Sequence, residues 1–123
     1  MELRRPSTRT SNSGFTLIEV LIVVAIIGIL AAVLVAEVFN ARRRTVDSVT
    51  QTYARQVATW LAAADTAGAD VTGVTTCTNN LLQTEGAPGT LPNGVTSCAI
   101  TYDNGRWRVS AASQSGKNFS VAY

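Results

Sequence analysis

At 123 residues, the chain has room for one small domain beside any membrane segment, and ten basic against eight acidic side chains give a formal charge of +2, too little to suggest nucleic-acid binding. It contains no histidine, which removes the commonest general base and the commonest metal ligand; its two cysteines lack a Cys-x-x-Cys spacing and so speak against a zinc site or a thioredoxin-like centre. No catalytic residue, metal site or cofactor is expected. The first residues, 1–14, are polar and carry Arg4, Arg5 and Arg9 against Glu2; without them seven basic and seven acidic residues remain. From Phe15 to Ala36 the sequence is almost entirely apolar over 22 residues, and ~20 suffice to cross a bilayer. Its only charge is Glu19. A carboxylate within such a span costs ~2.5–3.5 kcal/mol or more, so it calls for a partner.

Past Ala36 the pattern becomes amphipathic. Val46, Val49, Tyr53, Val57, Trp60, Leu61 and Ala64 recur at three- and four-residue spacing, one helical face. Arg43 and Asp47 stand one turn apart, placed to pair on the wet side, and Gly68 offers a stop. One helix over 15–67 is therefore expected, apolar all round over 15–36 and one-sided over 37–67. Residues 68–95 lack a period, with a short helical turn expected near Leu81 and Leu82. From residue 96 to 123 the period is two: Cys98, Ile100 and Tyr102, then Trp107, Val109 and Ala111 after an Asn104-Gly105 hairpin signal, then Phe119, Val121 and Tyr123. The fold class is α+β, a long N-terminal helix packed on a three-stranded antiparallel meander.

The segment Gly14-Phe15-Thr16-Leu17-Ile18-Glu19, between a short basic leader and an apolar helix, resembles the precursor signature of type IV pilins and the pseudopilins of type II secretion and competence systems. The resemblance covers about the first third of the chain. It implies that prepilin peptidase cuts between Gly14 and Phe15 and that the new Phe15 amine is N-methylated. It also implies that Glu19 pairs with that amine on a neighbouring subunit during assembly; two opposite charges buried in an apolar bundle are tolerable only as a pair. The leader then lies in the cytoplasm, the subunit waits in the cytoplasmic membrane, and an assembly ATPase working through a membrane platform draws it into an extracellular helical polymer with copies of itself. Adhesion, twitching motility and DNA uptake are the family's uses. A proline that many pilins carry a little over twenty residues into the mature helix is replaced here by Ala36.

An exported domain sits where disulfides persist, and Cys77 with Cys98 is expected to form one, closing a loop worth ~3 kcal/mol; a catalytic thiol would lack a histidine partner. Arg42, Arg43 and Arg44 read as a solvated collar at the membrane edge rather than a DNA contact. Arg106, Arg108 and Lys117 are expected on the outer sheet face, where contact with DNA phosphates is the less favoured reading. A secretion pseudopilin would favour a C-terminal cluster of acidic calcium ligands, and the last 38 residues hold only Asp103. The competing reading from another class is a membrane-anchored binding module that never polymerises.

Overall fold

The structure, a computed structural model, describes residues 13–123. Most of the expected leader therefore lies outside the described residues. Helix α1 runs Leu17–Thr66, 50 residues, followed by α2 (Asn80–Thr84), β1 (Val95–Asp103), β2 (Arg106–Ser113) and β3 (Asn118–Ala122). The chain forms two compact units that meet in sequence between Glu37 and Val38.

In the first unit, the large apolar side chains from Phe15 to Val35 are between 52% and 88% exposed. This is a helix whose apolar surface finds no partner among the described residues, and it is long and apolar enough to cross a membrane.

In the second unit the same helix turns one face to a sheet. Tyr53, Ala54, Val57, Ala58, Leu61 and Ala64 are buried in one cluster with Ile100, Trp107, Val109 and Ala111 of β1 and β2. Trp60 meets Tyr53 edge-on at 6.4 Å, a geometry that adds to simple burial. The face takes in Ala54 and Ala58 besides the expected residues, and at its start Val49 is exposed while Thr50 is fully buried in its place. Thr50 can occupy a dry position because its hydroxyl donates to the Val46 carbonyl at 2.9 Å, which satisfies it within the helix.

The helix stops where Gly68 was expected to stop it. Ala69 N–H donates to Ala64 O and Gly68 N–H to Asp65 O, both at 3.0 Å, with Gly68 at φ 84°. These are the two bonds of a Schellman cap, which needs a residue tolerant of positive φ.

The sheet is the expected meander, in the order β1-β2-β3 and antiparallel throughout. Asn104 and Gly105 both take positive φ in the two-residue turn between β1 and β2, as a type I′ hairpin requires. Along β2, Trp107, Val109 and Ala111 are buried and alternate with the less buried Arg106, Arg108 and Ser110. A register shift between Val95 and Ser97 inserts Thr96 opposite β2.

The segment between helix and sheet is organised by caps and edges rather than by a period. Asn79 starts α2 by accepting from Leu81 N–H at 2.9 Å, and Leu82 is wholly buried. Thr76 pairs with Ala99, and Ile100 N–H donates to Thr75 O at 2.9 Å, so this segment lies along the free edge of β1. Cys77 and Cys98 are disulfide-bonded at the same place, with Cα atoms 5.7 Å apart.

Candidate functional site: the start of the helix

Gly14 precedes the helix with nothing within 4 Å of where a Cβ would stand, so nothing in this subunit's own packing demands a glycine there. Phe15 follows, 88% exposed. Thr16 and Glu19 then cap the helix reciprocally: Thr16 N–H donates to Glu19 Oε2 at 2.8 Å, and Glu19 N–H approaches Thr16 Oγ1 at 3.4 Å. Thr-x-x-Glu ahead of an apolar run is a capping box, in which each side chain satisfies a backbone donor that the first turn leaves unpaired. In the sequence Glu19 is conspicuous and Thr16 is not, although the Thr-x-x-Glu spacing is there to be read.

The consequence for Glu19 is geometric. Its carboxylate is folded back toward the chain start rather than projected sideways, so it stands one residue from Phe15, the residue whose amine cleavage would free. Oε2 is engaged, and Oε1 accepts no hydrogen bond among the described residues. Beside it lies an open groove of about 570 Å³ lined by Phe15, Glu19, Val20, Ile22, Val23 and Val24, with Glu19 as its one charged member. An apolar groove with a single carboxylate is suited to a greasy segment that carries one positive charge.

The other residues named from sequence fall elsewhere. Arg42, Arg43 and Arg44 are exposed on α1 in the second unit. Arg106 and Arg108 lie on the exposed face of β2. Two expectations are corrected. Lys117 is in the β2–β3 turn, not on the outer sheet face, with its Nζ 3.1 Å from Asp47 Oδ2. Asp47 consequently belongs to Lys117 rather than Arg43. Its Oδ1 accepts from the hydroxyls of Ser113, at 2.7 Å, and Ser115. Those hydroxyls, Ser115 first and Ser113 next, and then Lys117 hold the Asp47 carboxyl below its ordinary pKa. A fixed turn presenting three donors outcompetes one flexible arginine a helical turn away. No group of three or more potential metal ligands occurs among the described residues.

A helix long and apolar enough to cross a membrane thus starts at a capped carboxylate and continues into a small disulfide-bonded α+β domain. Residues 9–35 match the family model of the prokaryotic N-terminal methylation motif. Over 40 residues it is 60% identical to the type IV wide pilus major component PilA4 of Thermus thermophilus, a stretch that covers 32% of this chain and 30% of that protein. No solved structure matches the chain.

Proposed function

We propose that this chain is a structural subunit of a type IV pilus, made as a precursor, cut by prepilin peptidase between Gly14 and Phe15 and N-methylated on Phe15. The observation that carries the reading is the capped carboxylate at the head of a helix whose apolar surface is uncovered by its own chain. Such a surface needs lipid first and other copies later, and the lone Glu19 supplies a charge for a neighbour's Phe15 amine in a setting where an unpaired charge is costly. The mature subunit waits in the cytoplasmic membrane with its leader end inside. An assembly ATPase acting through a membrane platform then draws it into an extracellular filament. The similarity to a wide pilus major component favours the pilus over a secretion system. Adhesion, twitching motility and DNA uptake are the uses this reading offers.

Two measurements test it together. Electron microscopy of fibres sheared from cells, with mass spectrometry of their subunits, should find this chain in filaments, starting at methylated Phe15. A surface-exposed chain that starts at Met1, or that is recovered only as dispersed monomer in the membrane, would overturn the proposal.

A further inference from the structure

The face of α1 that packs on the sheet does not end where the sheet ends. Phe39, Arg42, Arg43 and Val46 follow one another at three- and four-residue spacing and lead directly into the buried positions Thr50, Tyr53 and Val57. Over this stretch the helix is met by the β2–β3 turn, and at Val46 by Gly94 as well; helix and turn together enclose a groove of about 390 Å³ lined by Phe39, Arg42, Arg43, Val46, Gln114 and Ser115. Its apolar members, Phe39 and Val46, stand one helical turn before and after the arginines, whose guanidinium groups share the groove with the amide of Gln114. The only ion pair among the described residues is Lys117–Asp47, so neither arginine has a carboxylate within 4.0 Å. Asp47, the nearest acid on the same helix turn, is occupied by Ser113, Ser115 and Lys117; Glu37 does not line the groove.

We propose that this groove seats the headgroup of an anionic phospholipid, with the phosphodiester on Arg42 and Arg43 and the upper acyl chain against Phe39. This rests on the membrane-anchored reading above. Three features select the ligand. Guanidinium forks match phosphate oxygens bidentately. The arginines come six and seven residues after the last residue of the apolar span, Ala36, within two helical turns of where the headgroups of the outer-facing leaflet lie. The groove is also half apolar, as the junction of headgroup and acyl chain is and as a free phosphate or a DNA backbone is not. A subunit so held carries a bound lipid for as long as it remains in the membrane, and entry into a filament must release it.

The test reconstitutes the full chain into nanodiscs of mixed phosphatidylglycerol and phosphatidylcholine, then extracts it gently and counts co-purified lipid by native mass spectrometry. Phosphatidylglycerol should be enriched over its share in the disc, and Arg42→Gln and Arg43→Gln should each lower that enrichment about tenfold, as the loss of a hydrogen bond between charged groups does. Arg44→Gln removes the same charge one position on, outside the groove, and should leave most of the enrichment intact. Equal losses from all three variants would mean a diffuse charge collar and would overturn the groove. Displacement of the lipid by millimolar inorganic phosphate, or by a short DNA duplex, would overturn the choice of ligand. A chain that enters the discs without enriching phosphatidylglycerol defeats this proposal alone, whereas one that does not enter them defeats the membrane reading with it.

Discussion

The two stretches of α1 are both rich in apolar residues, yet they are apolar for opposite reasons. Over 17–37 the apolar side chains point in all directions and more than half of each large one is exposed; over 46–66 they keep to one face, and Tyr53, Val57 and Leu61 are between 0% and 4% exposed. The second stretch is completed by its own sheet. The first is left for something outside the chain to complete. Helical periodicity, rather than apolar content, separates the two. The difference also sorts the charges: Asp47 is answered by partners within its own subunit, whereas among the described residues Glu19 accepts only from the Thr16 N–H.

The largest expected effect tests whether the first stretch is completed by other subunits. Glu19→Val makes the span more apolar, so membrane insertion should hold or improve. Filament yield should fall to near nothing, because each added copy would bury a Phe15 amine without its counter-charge. The comparison to make is the membrane pool against the mass of sheared filaments. A valine variant with wild-type filament yield would reduce Glu19 to a helix cap and remove its role in assembly.

The next contrast is between two leucines. Leu61→Ala opens a cavity under the sheet at a position that is 0% exposed and should cost ~2–5 kcal/mol, read as an earlier melting of the near-ultraviolet signal from Trp60 and Trp107. Leu30→Ala, at a position 59% exposed, should leave that melting unchanged and cost only a few tenths of a kcal/mol of membrane insertion. If Leu30→Ala lowered the melting temperature as much, the two stretches would not be energetically separate. Of similar size to the Leu61 effect, Cys77→Ser with Cys98→Ser should destabilise the second unit by ~3 kcal/mol, the loop-closure value for a bridge of this span. The intact mass of the wild-type chain with and without reductant reports the bond itself.

What is legible in the sequence follows the same division. The long helix, its Gly68 stop, the Asn104-Gly105 hairpin and the three strands are readable because each rests on a local signal, a period or a turn residue. The disposition of 68–95 is not, because pairing of Thr76 with Ala99 depends on a contact across more than twenty residues that leaves no periodic trace. Burial of Thr50 escapes the pattern because a hydroxyl counts as polar, although it can satisfy itself on its own helix. Asp47 reads as the partner of Arg43 for a related reason: the neighbour in sequence is visible and the turn 66 to 70 residues away is not. At the helix start the reverse holds. Glu19 is legible as a charge out of place, but its orientation depends on Thr16, an unremarkable residue until the capping box is recognised.

The smallest expected effect concerns that long-range turn and its dependence on pH. Asp47 has a folded pKa below the ~3.9 of a free aspartate. A depressed carboxyl contributes stability that is fully present above the unfolded value and is lost as the pH falls through the folded one. The melting temperature of the second unit should therefore be flat near neutrality and decline below about pH 4. Asp47→Asn should flatten that decline. It should not abolish it, because Asp70, held down by the hydroxyl and then the N–H of Thr72, contributes in the same direction. Lys117→Met is the sharper variant. Its side chain is 70% exposed, and exposed ion pairs contribute little, whereas the serine hydroxyls lead the causes of the shift. Most of the part that Asp47 contributes should thus survive the loss of Lys117 and disappear with Ser113→Ala and Ser115→Ala together. The opposite ranking would make the turn an ion pair with decorative serines, and the reason Asp47 prefers it to Arg43 would have to be charge rather than a fixed set of donors.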